Sequence, residues 1–290
     1  MFATRAQPVA SVLSAGVQTR NMATLREIQI RLNSIKNIGK ITKSMKMIAS
    51  TKVNKAQRAM ETARVYGSTS SAIYQNANTV PLENDNQLYV VSSSDRGLCG
   101  GIHSSVAKAT RKLIAASDAS NAGVVVLGDK AKNQMTRSNR ADIQLSFNQI
   151  GKAIPTFAEA SAAADTILSA GIKFDNASIV YNKFESAIAY EATPIRTYSI
   201  DALKSSEGFT AYELDEEVLE NYNQFLFANN IYWALVEGHA SEMSAKRNAM
   251  ENATKNAGDM VDRLTMTYNR TRQAAITSEL VDIITGASAL

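Results

Sequence analysis

The stretch from Leu25 to Tyr74, LREIQIRLNSIKNIGKITKSMKMIASTKVNKAQRAMETARVYGSTSSAIY, contains no proline and only two glycines, Gly39 and Gly67. Apolar or small residues recur at Leu25, Ile28, Leu32, Ile35, Ile38, Met45, Ala49, Ala56, Met60 and Ala63, mostly in alternating three- and four-residue steps. A period of about 3.5 residues is the seam of a helix facing one partner helix. At ~1.5 Å per residue, about 50 residues make a rod of about 75 Å, longer than a helix in an ordinary globular domain.

A second segment of this kind runs from Asp215 to about Thr285, again free of proline. Its stripe passes through Leu219, Tyr222, Leu226, Trp233, Val236, Ala240, Met243, Met250, Ala257, Val261, Leu264 and Tyr268 and continues to Ile276, Leu280 and Ile283. The acids Asp215, Glu216, Glu217 and Glu220 complement a helix N-terminus. About 70 residues give a rod near 105 Å, and neither rod is stable over its length without a partner.

Between the rods the pattern changes. Leu88–Ser92, Val124–Leu127, Ile143–Phe147, Ser178–Tyr181 and Ile195–Ile200 read as strands, and Ile102–Ala116, Lys130–Arg137 and Phe157–Ala170 read as the helices between the first four. Alternating strands and helices predict a largely parallel sheet. Asn76–Asn86 and Lys204–Thr210 are polar linkers carrying Pro81 and Gly208. The expected fold is α/β plus a long antiparallel coiled coil: helices at residues 23–75 and 211–290, with a Rossmann-like α/β domain inserted at 76–210. The second helix should overhang the first by about 20 residues, or about 30 Å. That overhang, roughly residues 270–290, ends in Ile276, Leu280, Val281, Ile283, Ile284, Ala287, Ala289 and Leu290, which calls for a sleeve from other chains.

Charge divides between the rods. Residues 25–74 carry ten basic groups against Glu27 and Glu61, a net of +8, while residues 215–285 carry eleven acids against six bases, a net of −5. Opposite signs favour pairing, and the surplus lysines leave a basic face for an acidic partner. The whole chain, at +4 over 290 residues with 45% apolar composition, points by itself to neither nucleic acid nor a membrane surface. Its longest apolar runs fall far short of the roughly 20 residues of a membrane span. One cysteine, Cys99, and two histidines, His103 and His239, exclude an internal disulfide and are poor material for a metal centre.

Residues 1–22 hold Arg5 and Arg20, several hydroxyls and no acid. This is the signature of a mitochondrial transit peptide, against the plainer reading of a disordered tail, and it puts the mature start near Ala23.

Asp95-Arg96-Gly97-Leu98-Cys99-Gly100-Gly101 stands where a nucleotide loop would sit but lacks both phosphate-loop spacings. A tight strand-to-helix turn is the plainer reading. Cys99 as a nucleophile would need a base, for which His103 is the weak candidate; a buried, idle thiol is the alternative. The lysines from Lys36 to Lys55 read as a solvated helix face or as a surface for an acidic protein, and phosphate tracking is weakened by the absence of aromatics there. Trp233 with Tyr232 and Phe225 reads as packing of the coiled coil on the domain, with a ligand cage as the rarer possibility. No catalytic constellation emerges.

Three segments carry a resemblance: Ile41-Thr42-Lys43-Ser44-Met45-Lys46-Met47-Ile48-Ala49-Ser50, Asp95 to Gly101, and Ile276-Thr277-Ser278-Glu279-Leu280-Val281-Asp282-Ile283-Ile284-Thr285-Gly286-Ala287. The chain resembles the gamma subunits of mitochondrial F-type ATP synthases over residues 23–290. The resemblance implies a rotary central stalk, peripheral on the matrix side of the mitochondrial inner membrane, with no cofactor, metal or catalytic residue of its own. Implied partners are three alpha and three beta subunits, the delta and epsilon stalk subunits and the c ring, with no nucleic acid and no membrane span. Implied contacts with beta are Lys43, Met45, Lys46, Lys246, Arg272, Gln273, Thr277 and Glu279. Ile276, Leu280, Ile283, Ile284 and Leu290 would form the apolar tip in the alpha/beta sleeve. Lys246 departs from the family's usual arginine, and lysine lacks the planar fork for a bidentate carboxylate contact. The alternatives are a nucleotide-dependent α/β enzyme and a coiled-coil tether or nucleic-acid binder.

Overall fold

The computed structural model describes residues 24–80, 86–117, 122–172, 174–212 and 216–289. The expected transit segment and Leu290 of the expected tip lie outside them. Internal packing divides the described residues into a larger unit, within 38–257, and a smaller one formed by residues 24–37 and 258–289.

Helix α1 spans Leu25–Ser70 and opens with a reciprocal cap: Glu27 N donates to Thr24 Oγ1, and Thr24 N donates to Glu27 Oε2. Its buried positions are Ile28, Leu32, Ile35, Thr42, Ala49, Val53, Ala56, Met60 and Ala63. These fall on two heptad rows. Ile38, read from the sequence as part of the seam, is 52% exposed instead, because a strict row continues from Leu32 to Gly39 and from Ile35 to Thr42. The helix also stops short of Tyr74. Ser70 Oγ donates to the Tyr66 carbonyl and Ser71 Oγ to Asn230 Oδ1, and a short helix α2, Ala72–Asn76, follows.

The sheet comes next: β1 (Gln87–Ser92), α3 (Ile102–Ala116), β2 (Ala122–Leu127), α4 (Asp129–Met135), β3 (Ile143–Phe147), α5 (Phe157–Ser169), β4 (Asn176–Phe184) and β5 (Tyr190–Tyr198). Strand order is β3-β2-β1-β4-β5, parallel except for the β4–β5 hairpin. β1 and β2 are covered on both faces, which is why they read as unbroken apolar runs. The last strand, expected at Ile195–Ile200, begins earlier and ends at Tyr198. Pro194 is tolerated because β5 is an edge, and the Ser199 hydroxyl accepts from Ala202 N to start helix α6, Ile200–Lys204. The expected linker 204–210 contains a 3-10 turn, Glu207–Ala211.

One face of the sheet packs α3 and α4, through Val106, Ala107, Ala131 and Met135. The other packs α5 and helix α7, Glu216–Ser288. Phe227, Ile231, Ala234 and Leu235 of α7 join Leu88, Val90, Ile179 and Ala164 in one core. The sheet's second helical layer is therefore shared between α5 and a part of the long helix beyond residue 210.

Within the larger unit α1 and α7 run antiparallel. Thr42 Oγ1 meets Thr254 Oγ1 at 2.9 Å, Lys46 Nζ meets Glu251 Oε1 at 2.8 Å, and Tyr74 OH donates to Asn223 Oδ1 at 3.1 Å. Val53, Ala56, Met60 and Ala63 pack on Val236, Ala240 and Met243. In the smaller unit α7 keeps a half-buried stripe at Val261, Leu264, Tyr268, Thr271 and Ala275, and every described residue from Ile276 onward is exposed. The bare tip is thus shorter than the 270–290 overhang expected. Among the described residues no helix is long and apolar enough to cross a membrane.

Candidate functional site

On the basic face of α1 Lys43 is exposed, while Met45 and Lys46 are half-buried. Lys46 is engaged by Glu251, whose carboxyl this contact holds below its usual range. Both side chains remain wet, so salt screens the pair. On α7, Lys246 is half-buried, and its neighbour Arg247 donates from Nη2 to the Ala187 carbonyl, tying the helix to the β4–β5 turn. Met45 and Lys246, far apart in sequence, line one cleft of about 430 Å³. Arg272, Gln273, Thr277 and Glu279 are exposed on the part of α7 that belongs to the smaller unit, where Thr277 Oγ1 donates to the Gln273 carbonyl. Ile276, Leu280, Ile283 and Ile284 are 53%, 54%, 71% and 56% exposed.

The loop Asp95–Gly101 is a tight turn rather than a phosphate cradle. Leu98 and Gly100 both adopt positive φ, and Asp95 Oδ1 accepts from Asp129 N at 2.7 Å, spending the carboxylate on the start of α4. Gly128 is required here: a Cβ would stand 2.7 Å from the Ser94 backbone. Cys99 is buried, its Sγ lies 3.1 Å from the Gly97 carbonyl, and burial pushes the thiol up to about 12. It is a thiol at neutral pH and no ready nucleophile.

The sequence reading weighs Cys99 with His103, but not the buried Glu242 that joins them. His103 Nδ1 lies 3.1 Å from Ser93 Oγ and Nε2 lies 2.9 Å from the Arg96 carbonyl. Glu242 of α7 accepts from Cys99 Sγ at 3.6 Å, and burial raises its pKa. The ligand-type atoms of Cys99, His103 and Glu242 lie within 4.8 Å of one another. Both ring nitrogens of His103 are already engaged by Ser93 and the Arg96 carbonyl, while Cys99 faces Glu242.

A second cluster ties three elements together. Glu237 of α7 has no exposed surface; it accepts from Arg64 Nη2 of α1 at 2.5 Å, from Phe184 N of β4 at 3.1 Å and from Trp233 Nε1 at 2.6 Å. The Glu237 hydrogen bond raises the Arg64 pKa. Trp233 lies flat against Gly67, where a Cβ would come within 2.7 Å of the ring. Trp233 is therefore a packing and anchoring residue. The available signal for both buried acids was their position: Glu237 and Glu242 are the only charged residues between Leu226 and Ala245, in a stretch otherwise apolar or small and neutral, apart from His239.

Residues 24–290 match the family described as ATP synthase. The chain is 49% identical to the mitochondrial ATP synthase subunit gamma of Yarrowia lipolytica, with 100% of both chains covered. The chain belongs to the ATP synthase gamma-subunit family. It is also 46% identical to the rat mitochondrial F(1) complex gamma subunit, over 92% of this chain and 100% of that one. Among solved structures, a chain from the Tetrahymena thermophila mitochondrial ATP synthase central stalk and c ring is similar at 27% identity and TM-score 0.62, covering 73% of this chain and 99% of that one. A chain from the Euglena gracilis mitochondrial ATP synthase shares the fold at TM-score 0.76 and 20% identity, over 91% and 94% of the two chains. The likeness to these chains extends over the sheet and both long helices.

Proposed function

We propose that this chain is the rotary central-stalk subunit of a mitochondrial ATP synthase, peripheral on the matrix side of the inner membrane. It couples proton-driven rotation of a c ring to conformational changes at the catalytic beta subunits. The observation that carries this reading is the full-length likeness to mitochondrial gamma subunits. Residues 76–210 act as the foot on the c ring with delta and epsilon, and residues 23–75 and 211–290 act as the shaft inside three alpha and three beta subunits. The chain makes and breaks no bonds. An asymmetric shaft offers different contacts to three like sites and so shifts each site's balance of open and closed forms.

Lys43, Met45, Lys46, Lys246, Arg272, Gln273, Thr277 and Glu279 meet beta, and the apolar tip with Ile276, Leu280, Ile283, Ile284 and Leu290 turns in the alpha/beta sleeve. Support for the tip comes from its exposure: a row of large aliphatic side chains left bare on one helix costs free energy unless other chains cover it. Apolar contacts are non-directional, and so change less on rotation than fixed ion pairs.

Affinity purification of the tagged chain from mitochondria tests the reading. Alpha and beta chains should co-purify at three of each per copy, with ATP hydrolysis activity. Recovery as a free protein, with ATP synthase activity intact in cells lacking it, would refute the assignment.

A further inference from the structure

The cleft that holds Met45 and Lys246 has a second character. Lys52 and Lys55 reach it from α1, Arg96 from the loop after β1, Lys152 from the segment after β3, and Lys246 from α7. Among the described residues no carboxylate lines it. Of the acids nearby, Glu251 pairs with Lys46, and Glu242, buried behind Gly151, is felt by Lys246 and Arg96 but does not line the cleft. Five cations drawn from four segments repel one another, a cost that a bound anion offsets.

Arg96 is set in place beforehand: Nε donates to the Gly151 carbonyl and Nη2 to the Lys152 carbonyl, both at 3.4 Å. His239 lines the cleft as well as a small buried cavity beside Ser92, Asn182 and Glu242. It is 7% exposed, and its Nδ1 has no hydrogen-bond partner among the described residues. Burial, aided by the charges of Lys52 and Arg96, pushes this imidazole down to about 4, so it sits neutral in a positive field. The walls between the cations are apolar, formed by Met45, Ile48, Ile154 and Met243. A volume of about 430 Å³ lies within the range of small-molecule sites.

We propose that this cleft binds an oligophosphate-bearing small molecule, its phosphates held by Lys52, Lys55, Arg96, Lys152 and Lys246 and its body resting on the methionine and isoleucine walls. Recognition is by charge and concavity, with the flexible thioethers of Met45 and Met243 adapting to a ring. Of the loop Asp95–Gly101 read from the sequence, this site takes only Arg96. Met45 and Lys246 are also among the residues proposed to meet beta, so anion binding is a property of the free chain: co-purification with alpha and beta tests the assembly, and titration of the free full chain tests anion binding.

The test is calorimetric titration of the full chain with pyrophosphate and with ADP at low salt. Single-site, saturable binding is expected, weakening as salt is added. Lys52→Gln with Lys55→Gln should weaken it about tenfold or more. Lys108→Gln with Lys112→Gln, which removes the same charge from exposed positions on α3, should change it less than about twofold. Ala153→Glu places a carboxylate at an exposed position of the cleft rim without disturbing the core, and should also weaken binding. On saturation the His239 ring resonances should shift. Lack of saturable binding of either phosphate, equal weakening by the α3 control pair, or binding of a polyglutamate peptide but of neither phosphate would overturn the proposal.

Discussion

Replacing Arg64 by methionine removes the cation from a carboxylate that cannot reach water. Glu237 has no exposed surface and keeps only the Phe184 and Trp233 N–H donors once the guanidinium is gone. Breaking a buried pair in this way costs about 3–5 kcal/mol. Arg64 is 39% exposed, however, so solvent already weakens its side of the interaction, and about 2–4 kcal/mol is the reasoned loss. Glu237→Gln should cost less, about 1–2 kcal/mol, since an arginine left without its acid can turn to water while the amide oxygen still accepts. The double variant should therefore be less destabilised than the sum of the singles by about 1–2 kcal/mol. Urea unfolding of the full chain reads this directly, because Trp233 is the only tryptophan and donates to Glu237. Additive single losses to within about 0.5 kcal/mol, or an Arg64→Met variant as stable as the parent, would refute the account of this junction.

Gly67→Ala sets two effects against each other. Alanine gains about 1 kcal/mol in helix propensity, but its Cβ would stand 2.7 Å from the Trp233 ring, an overpacking cost of about 1–3 kcal/mol. A net loss and a shifted Trp233 emission are expected, and a stabilised variant would contradict it. His239 should make stability depend on pH. Its folded pKa is depressed from 6.5 to about 4, so the unfolded chain binds the extra proton between those values. Stability is full above about pH 6.5 and falls as pH drops through about 4, by about 3 kcal/mol at most. Glu242, whose pKa burial raises, acts in the opposite sense: its contribution is complete below its unfolded pKa and is lost as pH rises through its folded value. Comparing His239→Gln with the parent by urea unfolding at several pH values isolates the histidine. An unchanged slope would count against it.

The long helices were legible because proline-free heptad spacing is local information, and β1 and β2 because strands covered on both faces are apolar without interruption. Ile38 was misjudged for the same local reason: an isoleucine looks like a seam residue, whereas the actual row passes through Gly39 and Thr42. The edge strand β5 hid behind Pro194, which a central strand would exclude but an edge accepts. Of the candidate contact residues, the sequence suggested Met45 and Lys246 only through resemblance. No spacing rule could join them to Arg96 and Lys152, because that meeting depends on how α1, two loops and α7 converge. The Glu237 junction was hidden likewise, since its donors come from positions 64, 184 and 233.

The burial of α7 against the sheet bears on how twist can pass through the larger unit. A helix joined to a domain only by a linker can swivel about that joint. Here Phe227, Ile231, Ala234 and Leu235 are themselves one layer of the sheet's core, and the same helix continues past Glu237, Ala240 and Met243 against α1. No flexible joint intervenes along that stretch, so any turning force applied to the sheet enters the helix backbone like a key cut into its own axle. Slippage would require exposing the core, and compliance must come from the elastic bending of the helices themselves.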